Sequence, residues 1–142
     1  MLGAGTHGTT FGGTPLGCAV ALKILEVIER DRLADNVRAT GEFLKNELER
    51  LAVTYPGVIK NARGIGFMLG LELIEKEKIS AFTASDKAAS IQFVNRLHDA
   101  GILTVPSANQ RVRLLPPLNL TRAQAAEGVA AIESVVAKLA SF

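Results

Sequence analysis

The sequence is poor in the residues that build disulfide frameworks and membrane spans. Its 142 residues include one cysteine, Cys18, and no tryptophan, and aromatic residues make up 5%. A single cysteine excludes an intrachain disulfide and is typical of a reducing compartment. No apolar run approaches the roughly 20 residues of a membrane-spanning helix, and the first residues lack the charged-then-apolar pattern of a secretory signal. These absences predict a cytoplasmic protein with no membrane partner.

An excess of charge of one sign is also missing. The net charge is only +2, from 16 basic and 14 acidic residues, and the basic residues form no run. Nucleic acid is therefore excluded as an expected partner. The two histidines, His7 and His98, lie far apart and have no companions at metal-ligand spacing, so no metal site is predicted.

What the chain does have is an ordinary globular composition, with 48% hydrophobic residues, and clear periodic segments. Apolar residues at helical spacing predict helices, and alternating ones predict strands. The predicted helices span about 15–30, 31–52, 85–100 and 121–139, and the predicted strands span 58–62, 67–73, 102–105 and 110–115. The order α-α-β-β-α-β-β-α predicts an α+β fold with helices packed on a small, mostly antiparallel sheet.

Several local signals refine these elements. In the first helix the apolar stripe is expected to be buried, with Cys18 on its side as a small core residue. Thr83 or Ser85 is the expected N-cap of the third helix. Thr121 and Gln124 form a capping box at the start of the last helix, since each side chain can satisfy a free backbone N–H.

A glycine-rich segment, residues 5–15, precedes the first helix. It contains four glycines and four threonines and ends in Thr14-Pro15, an N-cap followed by a first helical residue. A helix start with free N–H groups suits an anion such as phosphate, and nearby hydroxyls add donors. The alternative is that these hydroxyls bond only the local backbone. We divide the chain into a loop region, residues 1–14, which contains most of this segment, and a domain, residues 15–142.

Three segments of the chain resemble the class-III, pyridoxal-phosphate-dependent aminotransferases, in the acetylornithine and ornithine aminotransferase branch. They are HGTTFGGTPLGCA at 7–19, RGIGFMLGLEL at 63–73 and VRLLPPL at 112–118. They occur in the family's order, and one departure is Thr14, where the family usually has asparagine. The resemblance implies the carboxyl-terminal small domain of a fold-type I pyridoxal-phosphate enzyme.

The resemblance also implies site residues. The threonine corresponding to Thr10 binds the cofactor phosphate held in the neighbouring subunit of a homodimer, and Thr9 lies close to the substrate. Arg113 matches the arginine that binds the substrate's carboxylate. The residues themselves support this, because Arg111 and Arg113 share one face of a strand and guanidinium binds carboxylate in two-pronged fashion. The alternative is a solvated strand end with two exposed charges.

The function implied by the resemblance is reversible transfer of an amino group from N-acetylornithine to 2-oxoglutarate, in arginine biosynthesis. Aminotransfer needs a lysine that forms a Schiff base with the cofactor and an acid at the pyridine nitrogen. In the family both precede the glycine-threonine loop, so we predict no catalytic residue here. We expect a carboxyl-terminal fragment that is inactive by itself.

A different class of function stays open at this point. The chain could be a stand-alone, non-catalytic module that binds amino acids or phosphate or mediates oligomerisation. Such a module should cover all its apolar faces. The three motifs are also shared by ornithine, succinylornithine and aminobutyrate enzymes, and no role is assigned to Arg63, Glu72 or Arg111.

Overall fold

A computed structural model describes Gly5 and residues 8–141, and within them the predicted order of elements is confirmed. The predictions on Thr6 and His7 lie outside the described residues. Two short 3₁₀ turns, at 76–78 and 80–82, follow the second strand and precede the third helix. The elements are α1 (Pro15–Arg30), α2 (Leu33–Thr54), β1 (Ile59–Ile65), β2 (Met68–Leu73), α3 (Ala89–Asp99), β3 (Val105–Pro106), β4 (Arg111–Leu114) and α4 (Arg122–Ala140).

The chain forms two compact units, one ending at Ala34 and the other beginning at Asp35. The division at residue 14 made from the sequence concerns function rather than packing, and it stays a prediction. In the first unit, α1 begins as expected: the N–H of Gly17 donates to Thr14 Oγ1 at 3.3 Å. Its first residue, Pro15, has no N–H to leave unpaired.

The predicted burial of the α1 stripe is wrong. None of the residues of α1 is buried, and Leu16 and Leu22 are 76% and 69% exposed. Cys18, expected in a core, is also exposed. Helical periodicity reports that a helix has an apolar face, but it carries no information about what covers that face.

The second unit is built on a four-stranded sheet in the order β1-β2-β4-β3, with every neighbouring pair antiparallel. The predicted alternation in β2 is confirmed, because Leu69, Leu71 and Leu73 are buried while Met68 is 69% exposed. Val112 of β4 is buried on the same side as these leucines. One face of the sheet therefore belongs to the core and the other is open.

Helices α2, α3 and α4 supply much of one hydrophobic core, which also includes Ile79 and Phe82 from the segment between β2 and α3. The stripe predicted for α4 is fully buried, and its capping box is present as predicted. The spacing in α2 predicts an apolar stripe of Leu33, Val37, Leu44, Leu48 and Leu51. The last three are buried, whereas Leu33 and Val37 are half-buried. At the surface, Arg50 of α2 reaches Glu133 of α4 at 2.8 Å.

Helix α3 begins later than predicted, at Ala89, and its N-cap is Ala88. Thr83 instead donates its hydroxyl to the carbonyl of Ser80 at 2.9 Å. Ser85 accepts from the N–H of Lys87 at 3.2 Å. Both predicted caps are thus engaged in local turns, which compete for the same short polar side chains.

Strand β3 is shorter than the predicted 102–105. The N–H of Ile102 donates to Leu97 O at 2.8 Å, and that of Thr104 donates to Nε2 of His98 at 3.3 Å. The segment therefore bonds back to the end of α3. Only Val105 and Pro106 pair with β4.

Strand β1 is longer than predicted and turns into β2 through two residues, Gly66 and Phe67. Gly66 has φ of +55°, a conformation that favours glycine. The turn lies against α2, where a Cβ on Gly41 would be 2.6 Å from the backbone carbon of Gly66. Contact between the two backbones therefore sets the position of the hairpin.

We predict that Gly41→Ala destabilises the protein by about 1–3 kcal/mol, because the new methyl group overlaps a backbone that cannot yield. Gly128→Ala is the matched control: it also lies within a helix, and its Cβ would have nothing nearer than Ile102 Cδ1 at 4.0 Å. Helix propensity should make the control neutral or more stable by up to about 1 kcal/mol. Urea unfolding measures both, and equal effects would contradict the close packing.

Candidate functional site

The candidate site lies on the open face of the sheet, around Arg113. Because side chains alternate along a strand, Arg111 and Arg113 point away from the core while Val112 between them is buried. In the register of the sheet, Arg113 stands opposite Gly70, and Gly70 stands opposite Arg63. The pairing brings together residues about 40 to 50 positions apart, which periodicity alone does not reveal.

These residues surround a shallow cavity of about 310 Å³. Its lining includes three arginines and contains neither a lysine nor an acidic residue. A cavity of this charge favours an anion over a cation. The lining residues are Arg63, Gly64, Met68, Gly70, Ser107, Arg111, Val112 and Arg113.

Glu72 faces three neighbouring cations beside this cavity, and its single negative charge offsets part of their positive charge. Its carboxylate lies 3.1 Å from Lys60, 3.8 Å from Arg63 and 3.9 Å from Arg111, and its side chain is only 13% exposed. The hydrogen bond from Lys60, followed by the positive charges of Lys60, Arg111 and Arg63, lowers the pKa of Glu72. Two of the three arginines of the cavity therefore have a counter-ion already.

Arg113 differs from the other two arginines. Its Nη2 donates to the hydroxyl of Ser107 at 3.3 Å, and it has no carboxylate partner within residues 8–141. Ser107 is held in place by its own N–H, which donates to Arg111 O at 2.7 Å. Arg113 thus presents an oriented guanidinium to an external anion. Ser107 has no signal in the sequence, because a loop serine gains this role only through the folded position of the loop.

Thr9 and Thr10 lie in the first unit and are exposed. The described residues offer neither side chain a hydrogen-bond partner, whereas Thr14 donates to Phe11 O at 3.0 Å. Of these three threonines, only Thr14 fits the alternative that the hydroxyls bond local backbone. Thr9 and Thr10 have free hydroxyls ahead of a helix N-terminus, which fits a phosphate group.

The other features considered from the sequence add no site. Among the described residues no cluster of three or more histidines, cysteines or acids is arranged to hold a metal ion. None of the helices in that part of the chain combines the length and the apolar character needed to cross a membrane.

The sequence profile of the family described as aminotransferase class-III matches residues 1–136. The chain belongs to the class-III aminotransferases. Acetylornithine aminotransferase of Synechocystis is 36% identical over 135 residues, which are 95% of this chain and 29% of that protein. The family is pyridoxal-phosphate-dependent.

Solved structures of two relatives share the fold. Acetylornithine aminotransferase of Elizabethkingia anophelis superposes with a TM-score of 0.80 at 28% identity, over 96% of this chain and 32% of that one. An amine transaminase from an uncultivated Pseudomonas species, solved in a pyridoxal-phosphate-bound form, gives 0.76 at 30% identity, over 95% of this chain and 30% of that one. The chain therefore spans about three tenths of the length of the aminotransferases it matches.

We predict that Glu72 makes the stability of the protein sensitive to acid. Its pKa is lower in the folded state than in the unfolded state, so its contribution is present above the unfolded value, about 4.3. That contribution is lost as the pH falls through the folded pKa. The difference in unfolding free energy between wild type and Glu72→Gln should therefore shrink as the pH falls from neutral to below the ordinary glutamate pKa, about 4.3.

Urea unfolding across this pH range measures the effect. Glu77→Gln is the control, since Glu77 is an exposed carboxylate that forms no ion pair within residues 8–141. A Glu72→Gln difference that stays constant with pH would contradict the charge network.

Proposed function

We propose that this chain is the carboxyl-terminal part of an acetylornithine-type aminotransferase. The reaction is the reversible transfer of an amino group from N-acetylornithine to 2-oxoglutarate, forming N-acetylglutamate semialdehyde and glutamate in arginine biosynthesis. The observation that carries the proposal is the guanidinium of Arg113 in a positive cavity, bonded to Ser107 and without a carboxylate partner among residues 8–141. Similarity to acetylornithine aminotransferase supports this substrate class.

In this proposal Arg113 binds the carboxylate of the amino-acid or oxo-acid substrate. A two-pronged contact fixes the plane of the carboxylate, and with it the direction of the substrate's Cα–H bond. Ser107 holds the guanidinium in its rotamer. Glu72 compensates Arg63 and Arg111, so that Arg113 is the strongest anion-binding group of the cavity.

The glycine-threonine loop has the second role. Pyridoxal phosphate supplies the electron sink for amino transfer when it is bound. We propose that Thr10 donates its hydroxyl to the cofactor phosphate and that Thr9 lies beside the substrate, both in the active site of a partner subunit. Their exposed hydroxyls, without a partner in the described chain, support this assignment. The functional assembly in this proposal is a homodimer in the cytoplasm.

The chain by itself should lack transaminase activity. A catalytic lysine must lie in the site with its amine poised for deprotonation, usually by burial or a cationic neighbour. No lysine of this chain is buried, and none lines the cavity of Arg113. Lys60 and Lys78 are paired with acids, and Glu75 raises the pKa of Lys78.

The exposure of α1 disfavours the alternative of a self-contained binding module. Such a module should cover its apolar faces, yet Leu16, Leu22 and Leu25 of α1 are 76%, 69% and 58% exposed. Apolar residues clustered on one helix and left open are typical of an interaction surface.

We predict that pyridoxal phosphate added to the chain produces no saturable, lysine-specific absorbance change. The physical reason is that none of the seven lysines is buried, so none is held in a closed site that would favour one amine over the others. Spectrophotometric titration of wild type measures this. Saturable absorbance that one lysine-to-alanine change abolishes would contradict the assignment of the chain as non-catalytic.

A chimera tests the proposed roles directly. This chain replaces the matching carboxyl-terminal residues of the Synechocystis acetylornithine aminotransferase, and transamination of 2-oxoglutarate by N-acetylornithine is measured. We predict an active chimera in which Arg113→Lys lowers kcat/KM about 10- to 100-fold, because lysine cannot make the two-pronged contact. Arg111→Lys, two residues along the same strand, is the matched control and should have little effect.

Two results would count against the proposal. One is a chimera that folds and binds pyridoxal phosphate yet transfers no amino group. The other is equal loss of kcat/KM in the Arg113→Lys and Arg111→Lys variants, which would mean that the cavity has no preferred arginine.

A further inference from the structure

Gly70 lies in the middle of β2, where a glycine is unexpected. Glycine destabilises strands, since it loses more backbone entropy on folding and offers no side chain to pack. A glycine inside a strand usually marks a bulge, a positive φ, a close backbone neighbour or a ligand that approaches closely. Each of these explanations makes a different demand on the structure.

The structure removes the first three explanations for Gly70. Its φ is not in the positive range, unlike that of Gly64 and Gly66. Pairing is regular at this position on both sides, and the irregular step of the hairpin lies at 59–61. A Cβ on Gly70 would meet nothing nearer than Val112 O at 3.6 Å, an ordinary contact. The fold thus accepts a side chain at this position.

What remains is the place of Gly70 in the cavity. It stands opposite Arg63 on one side and Arg113 on the other, so two arginines flank a strip of bare backbone. All three residues line the 310 Å³ cavity. Arg63 and Arg113 lie on β1 and β4, which are separated by β2 and therefore by two strand spacings, about 10 Å, so the strip has room for a carboxylate with its substituents.

We propose that Gly70 is a specificity-determining residue of the carboxylate site. Its missing side chain leaves the floor beside Arg113 open, so that a carboxylate carrying an amino or oxo group on the adjacent carbon can reach the guanidinium. A side chain at this position would cover the floor and admit only smaller carboxylates. The inference rests on the proposed role of Arg113 and goes beyond it by assigning the size limit to one position.

The test is an NMR titration of the 142-residue chain with 2-oxoglutarate and, separately, with acetate. The arginine Nε–H signals and the amide of residue 70 report binding. We expect the wild type to bind 2-oxoglutarate more tightly than acetate. Gly70→Val should raise the Kd for 2-oxoglutarate by about tenfold or more, which is the effect of losing one charge-assisted hydrogen bond. The Kd for acetate should rise much less.

Two further variants keep the test decisive. Gly57→Val adds the same side chain at a turn where a Cβ meets nothing within 4 Å, and it should bind like wild type. Gly70→Ala adds a single methyl group whose nearest neighbour is Val112 O at 3.6 Å, and it should show the same selectivity with a smaller change in Kd. It replaces the valine variant if circular dichroism shows that Gly70→Val does not fold.

The outcomes separate this inference from the proposed function. Unchanged 2-oxoglutarate binding in both Gly70 variants, together with loss in Arg113→Lys, overturns the inference and leaves the role of Arg113 intact. Equal loss for 2-oxoglutarate and acetate in a folded Gly70 variant overturns the size limit. No binding to wild type overturns the inference too, while the chimera tests the aminotransferase function independently.

Discussion

The antiparallel pairing of β2 with β4 is the constraint on which the rest of the structure depends. It places Gly70 opposite Arg113 and Glu72 opposite Arg111, and it aligns the buried leucines of β2 with Val112. A shift by one residue would move every side chain to the other face. The hydrophobic core and the positive cavity are therefore set by the same register, and one cannot change without the other.

Charge compensation then makes the arginines of the open face unequal. A lone Coulomb attraction between exposed groups is weak, but a carboxylate that is mostly shielded and faces three cations is held firmly. Glu72 is in that position, and it faces Arg63 and Arg111 rather than Arg113. An incoming carboxylate consequently meets one arginine without a counter-ion, oriented by a serine hydroxyl.

The two compact units differ in how they are stabilised. The second unit has a continuous core, in which Leu48, Leu51, Leu71 and Phe93 have no exposed surface. The first unit exposes the apolar side chains of α1 and two threonines without partners in the described chain. A helix with this composition gains stability when its apolar face is covered. The exposed face of α1 and the glycine-threonine loop thus belong to the same part of the chain. This agrees with the contact to a partner subunit that we propose for the loop.

The sequence by itself determined the fold class, the order of elements, the capping box of α4 and the alternation of β2, because these depend on neighbours within a few residues. Its motifs also identified the family. The sequence misjudged the start of α3, where Thr83 and Ser85 form local turns instead of a cap. It misjudged the length of β3, where residues 102 and 104 bond to the end of α3. It also misjudged the burial of α1, because periodicity does not show what covers an apolar face. Only the tertiary structure placed Glu72 beside three cations and Ser107 beside Arg113. Only it showed that neither the backbone conformation, the strand pairing nor a close neighbour requires a glycine at position 70. These contacts run between neighbouring strands and the loops that join them, so the register of the sheet, not local propensity, brings the residues together.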